Sequence, residues 1–163
     1  MNRRNFLGKT LAAGALSTIP FTLKASENRS QGSATPFNLN YAPHFGMFRA
    51  SAPGGPLSEL DFMAEQGFRS LEDNGMAGRS PNLQKEIANH MEKLGMTMGV
   101  FVAHTIYWTE PNLTSGNKDK REEFLNEIRA SVEVAKRVNA KWMTVVPGHV
   151  DLRKDLGYQT ANV

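Results

Sequence analysis

The chain has 163 residues and a formal charge of +3, from 19 basic and 16 acidic side chains. Four of the basic residues, Arg3, Arg4, Lys9 and Lys24, lie in the first 25 positions, which hold no acid; the remainder carries 15 basic and 16 acidic groups, a net −1. A surface so balanced is not the basic footprint that nucleic acid needs, the absence of cysteine excludes a disulfide framework, and the length suits about one domain.

Residues 1–25 have the three-part layout of an export signal. Asn2-Arg3-Arg4-Asn5-Phe6-Leu7 is the charged start, Thr10 to Leu23 is mildly apolar, and Leu23-Lys24-Ala25 precedes a cleavage point. The paired arginines, one further residue, then Phe6-Leu7 with Lys9 close behind, resemble a twin-arginine signal. That resemblance implies a periplasmic or otherwise exported protein, delivered folded and often loaded with its cofactor. The 14 residues between Lys9 and Lys24 fall short of the ~20 that a spanning helix needs, so stable membrane insertion is not expected. Residues 26–35 are small and polar, with Asn28 to Thr35 the clearest part, and read as a flexible lead-in.

Residues 36–163 then alternate between two periods. Phe37 to Ala42 reads as a strand ending in Pro43-His44. Leu57 to Gln66 reads as a short helix with Ser58 and Asp61 as a capping pair, stopped by Gly67. Phe68 to Asn74 is a second strand, ending in Glu72-Asp73-Asn74. Ser80 and Pro81 open the clearest helix, where the hydroxyl caps and the proline needs no amide partner. Its stripe is Leu83, Ile87, Met91 and Leu94, and Gly95 ends it. Thr97 to Ala103 is an apolar run of buried-strand length, with His104-Thr105-Ile106-Tyr107-Trp108 at its tip. Thr109 to Asp119 is a polar strap, either a lid or a plain connection. Glu122 to Val138 is the third helix, its apolar face formed by Phe124, Leu125, Ile128, Val132, Ala135 and Val138, and Asn139 stops it. Trp142 to Val146 is a fourth strand leading to Pro147-Gly148-His149, and Tyr158 to Val163 looks like the first turn of another helix.

Strands alternating with helices imply parallel βαβ units with right-handed crossovers. Four strands and three helices make half of a (β/α)8 barrel, which takes ~250 residues when whole. The expected fold is therefore α/β, the N-terminal half of a TIM barrel, with a small open α/β sheet as the alternative. No Gly-rich phosphate turn follows the first strand, which counts against a nucleotide-binding form of that alternative. A half barrel leaves its first and fourth strands with bare edges, so association into a homo-oligomer is also expected.

In parallel α/β folds the chemistry gathers at the C-terminal strand ends. Three of the four histidines, His44, His104 and His149, fall there, and the second strand contributes Glu72. Alternation puts Ser70, Glu72 and Asn74 on one face, and Leu71 and Asp73 on the other. With Leu71 packed on helices, Glu72 turns into the mouth, while Asp73 reads as a solvated or capping residue. His90 reads as a helix-surface residue. Trp108 and Tyr107 could form a wall on which a sugar stacks.

Tyr41-Ala42-Pro43-His44-Phe45-Gly46, Gly67-Phe68-Arg69-Ser70-Leu71-Glu72-Asp73-Asn74, and Val145-Val146-Pro147-Gly148 followed by Tyr158 to Val163 resemble hydroxypyruvate isomerase-type members of the xylose isomerase-like TIM barrels. The resemblance spans residues 36–163 and lies in the order of short segments. It implies a metal-dependent aldose–ketose isomerase or ketose epimerase acting on a small sugar or hydroxy-carbonyl compound. It further implies one divalent metal (Mg, Mn, Co or Zn) held by later strands, so that neither ligands nor catalytic groups carry over to this chain. The substrate-binding candidates that remain are Glu72, His104, His44, His149 and Trp108. Two rivals stand beside it. One is an exported carbohydrate-binding barrel without chemistry. The other is an abasic-site endonuclease-like metal hydrolase, against which the neutral charge and export signal argue.

Overall fold

The computed structural model describes residues 34–163, and the stretch expected to be an export signal and most of the expected lead-in lie outside the described residues. Among the described residues four α-helices and a parallel sheet alternate in the order α1 (Pro56–Glu65), β1 (Ser70–Leu71), α2 (Pro81–Lys93), β2 (Thr97–Met98), α3 (Lys118–Val138) and α4 (Leu156–Ala161). Single turns of 3₁₀-helix at Met76–Gly78 and Leu113–Ser115 punctuate the connections. The mixed α/β class expected from the periodicity is the one observed.

β1 and β2 pair in parallel, with Ser70 opposite Thr97 and Leu71 opposite Met98. Isolated parallel bridges extend the pairing on both sides, from His44 to Glu72 and from Val102 to Thr144. The Glu72 amide donates to Pro43 O at 3.0 Å, Gly99 N to Leu71 O at 2.8 Å, and Thr144 N to Phe101 O at 2.8 Å. Four extended segments thus lie side by side in chain order, all running the same way.

The ladders are shorter than the apolar runs predicted as strands. In the first segment, Tyr41 N donates to Leu39 O at 3.0 Å, a three-residue turn that takes the amide a ladder would use. The third segment changes partner partway, bonding the second through Thr97 and Gly99 and the fourth through Phe101 and Ala103. A Cβ on Gly99 would stand 3.1 Å from Leu71 O, so glycine is what lets these two backbones approach.

Leu71 and Met98 face the helices, where they join Leu60, Met63, Met76, Ile87, Met91, Phe101, Val134 and Val138 in the core. Burying one such side chain contributes roughly 1.5–3 kcal/mol. α2 follows its pattern: Ser80 Oγ accepts from Leu83 N, and Ile87 and Met91 are buried. Three expectations are corrected. α1 is entered through Gly55 at φ 92°, with no side-chain cap, so Ser58 and Asp61 are not its capping pair. Asn117 caps α3 by accepting from Asp119 N and Lys120 N, which starts the helix at Lys118 and not at Glu122. The buried face of α3 runs through Ser131, Val134 and Val138, leaving Val132 exposed, because Ser131 Oγ docks on Ala103 O at 2.6 Å.

Candidate functional site

The chain-order pairing places three predicted site residues, His44, Glu72 and His104, at the C-terminal ends of neighbouring segments, and His149 lies five residues past the Thr144 bridge of the fourth. His44 and Glu72 are bridge partners. Glu72 shares the sheet face of Ser70 by alternation, opposite Leu71, and is half-buried. Among the described residues its carboxylate makes no ion pair or hydrogen bond. His44 is exposed, with its ring Nδ1 3.4 Å from Phe45 O and its amide donating to Met47 Sδ at 3.5 Å.

The loop after His44 is held from below. Glu59, only 4% exposed in the first turn of α1, accepts from Gly46 N at 2.7 Å and Phe48 N at 3.4 Å. The loop after Glu72 has a similar anchor. Asp73 is 5% exposed, bonds Arg79 Nε at 2.6 Å and accepts from Gly75 N at 3.2 Å, while Arg79 lies 5.0 Å from the centre of the Phe45 ring. Asp73 is therefore a buried anchor and not a solvated side chain. Gln84, 1% exposed, reaches from α2 to Met76 O and Arg79 O at 2.9 Å each and accepts from Arg137 of α3.

His104 is 8% exposed and both its ring nitrogens are engaged. Nδ1 sits 2.8 Å from Thr105 O, and Nε2 accepts from Val146 N at 2.9 Å. A carbonyl needs a donor and an amide needs an acceptor, so the proton belongs on Nδ1. The ring also meets Phe124 edge-on at 4.7 Å. His104 thereby clamps the tip of the third segment to the fourth, and a substrate hydroxyl at either nitrogen would have to replace a backbone partner.

The tip from Thr105 to Trp108 runs on into the strap, which ends at the Asn117 cap of α3 and not at Asp119, and this joined strap from Thr105 to Asn117 is tied along its length. Glu127 takes Thr105 N at 2.9 Å and Thr105 Oγ1 at 2.7 Å. Tyr107 OH donates to Glu123 at 2.7 Å, Lys120 sits 5.3 Å from the centre of that ring, and the same ammonium meets Glu110 at 3.2 Å and Pro111 O at 3.1 Å. At its far end Thr114 Oγ1 donates to His149 O at 2.6 Å. The Tyr107 phenol is raised above its ordinary 10.0, first by donating to Glu123, then by loss of water and by the Glu123, Glu127 and Glu110 carboxylates.

Two of the predicted residues share a cleft. Trp108, 72% exposed, and His149 line an opening of about 200 Å³ with Ile106, Tyr107, Val146 and Val150. His104 belongs to a different cleft of about 410 Å³, between Asn74, Gly75 and Gly78 on one side and Glu127, Ala130 and Ser131 on the other. A third, of about 600 Å³, opens at the opposite strand ends beside Asn40, Ser70, Thr97 and Trp142, and holds none of the predicted site residues. His90, on the outside, lies 2.7 Å from Asp61 of α1.

Sequence reasoning put His44, Glu72 and His104 at segment ends, where the pairing has them, but missed Glu59, Asp73 and Gln84 as anchors. The signal available for Glu59 was an acid in a first helical turn; for Gln84 it was a polar residue beside an apolar stripe. An unengaged carboxylate, an exposed imidazole and an aromatic cleft with a second imidazole can accept from, donate to and cover a small polyhydroxylated molecule. Among the described residues no helix is long and apolar enough to cross a membrane. Comparison of the chain with protein-family models, with curated proteins and with solved structures finds no match.

Proposed function

We propose that this chain is the hydroxyl-gripping half of a (β/α)8 barrel of the xylose isomerase-like class, a metal-dependent aldose–ketose isomerase or ketose epimerase of hydroxypyruvate isomerase type, exported by the twin-arginine route. One observation carries the reading. Parallel pairing in chain order brings His44, Glu72 and His104 to the ends of three adjacent segments, with His149 in the stretch that follows the fourth, an arrangement that supports a barrel rim. Glu72 would accept from substrate hydroxyls, His149 would exchange hydrogen bonds with others, and Trp108 and Tyr107 would cover an apolar face. His104 acts at one remove, by holding Val146 and the segment that leads to His149.

Isomerisation of a hydroxy-carbonyl compound moves a proton between adjacent carbons, and a divalent metal in this class polarises the carbonyl. Among the described residues no three His, Cys, Asp or Glu gather into a donor set. None of the roles given above to these residues passes through a metal. The resemblance assigns those ligands to later strands.

The test is label exchange in the protein that carries the whole barrel. With Mg, Mn, Co or Zn in deuterated water, a small ketose should take up deuterium beside its carbonyl. Losing a hydroxyl contact typically costs on the order of 1–3 kcal/mol, so Glu72→Gln should slow uptake roughly ten- to a hundredfold. An unchanged rate in Glu72→Gln would remove this rim from the site. A second reading, an exported carbohydrate-binding barrel without chemistry, is favoured by the full engagement of His104, whose two ring nitrogens are both taken by backbone partners. Binding without uptake for any ketose would select it.

A further inference from the structure

Three residues spaced along one side of α3 meet the strap at three successive points. Glu127 takes Thr105 through its amide and hydroxyl at 2.9 and 2.7 Å, Glu123 takes the Tyr107 phenol at 2.7 Å, and Lys120 takes Glu110 and Pro111 O at 3.2 and 3.1 Å. Positions 120, 123 and 127 recur at three and four residues and so share a helix face. Only the middle rung reaches a wall of the Trp108–His149 cleft, since Tyr107 lines that cleft and Trp108 follows it in the chain. A ring held by its hydroxyl at one end and covered by an ammonium 5.3 Å from its centre has few other orientations open to it.

We propose that this face of α3 is a rail that fixes the strap as a standing wall of the cleft, and that Glu123 is the positioning residue which sets ligand affinity there through Tyr107. The inference rests on the reading of the Trp108–His149 cleft as a polyol site. It goes beyond that reading in assigning the cleft's shape to a residue that does not line it. Glu123 is exposed on the surface of α3, so its loss should act on the wall and leave the fold standing.

Trp108 reports on the wall directly once the other tryptophan is replaced in a Trp142→Phe background, since the chain has 2 tryptophans. Glu123→Ala should lower Trp108 fluorescence anisotropy and weaken binding of D-fructose, used as the probe, by roughly three- to tenfold, with the urea midpoint unmoved. Tyr107→Phe should do the same. The double variant should be no worse than either single one, because both remove one interaction. Glu123→Gln keeps an acceptor for the phenol and should recover most of the wild-type anisotropy. Additive losses, or a Trp108 signal indifferent to Glu123, would overturn the proposal. If wild-type protein fails to bind D-fructose, the polyol reading falls; the rail is then decided by anisotropy and the double-variant comparison alone.

Discussion

Two buried carboxylates, Glu59 and Asp73, hold the loops on which His44 and Glu72 stand. Removing one partner of such a pair leaves the other under-satisfied, so Asp73→Ala should cost about 2–3 kcal/mol, read as a lower urea midpoint. A midpoint within error of wild type would show that Arg79 finds water as good a partner. Backbone geometry makes a second ranking. Gly67 has φ 95° and a Cβ there would meet Thr35 O at 2.8 Å, whereas Gly95 has φ 65° and open space around it. Gly95→Ala should cost about 1 kcal/mol from strain alone, and Gly67→Ala clearly more. Equal losses would contradict this. At alkaline pH the Tyr107 contact is the one to watch. An acid held above its ordinary value keeps its contribution below the unfolded value and loses it as pH climbs through the folded one. The Tyr107–Glu123 contact is therefore intact at neutral pH and lost in a window above pH 10.0, and Tyr107→Phe should delete that step from an ultraviolet phenolate titration. The segment-end positions of His44, Glu72 and His104 were legible in the sequence because each closes an apolar run. Glu59, Asp73 and the ring nitrogens of His104 were not, because their partners lie far along the chain or on the backbone, where residue type carries no signal.

At the scale of elements, helices were legible to within a few residues and strands were not. α2 carries every local cue at once: Ser80, Pro81, an apolar stripe and Gly95 at φ 65°. α3 lost its first turn in the reading because its cap is an asparagine outside the apolar pattern. Replacing that cap, Asn117→Ala, should cost about 1 kcal/mol and fray the turn that carries Lys120, measurable as faster amide exchange at Asp119 and Lys120. Unchanged exchange there would mean that the strap holds the helix start without the cap. The strands were overestimated for a physical reason: an apolar run records burial, whereas a ladder records paired amides. Phe37 to Ala42 has the first, but its amides are diverted by the turn at Tyr41.

For the molecule as a whole, the alternation of helix and extended segment was sufficient to give an α/β class and parallel neighbours. It could not say what lies against the outer edges of the first and fourth segments. Thr144 N bonds Phe101 O at 2.8 Å, while Met143 N and Val145 N have no backbone partner among the described residues. Hydrogen exchange should find Thr144 protected and its two neighbours open in dilute protein, with their protection rising as concentration rises if copies associate through this edge. Protection of all three at every concentration would mean that the edge is covered within the chain. The 600 Å³ cleft, the largest of the three described above, opens at the N-terminal strand ends, yet the unengaged carboxylate of Glu72 and the exposed imidazole of His44 stand at the other end, so size and chemistry point to different places. That conflict is what the central measurement must resolve. Amide and indole spectra of the protein should be followed as D-fructose is added. The reading given above expects shifts clustered at His44, Glu72, Trp108 and His149; shifts clustered instead at Ser70, Thr97 and Trp142, or none at any concentration, would contradict it.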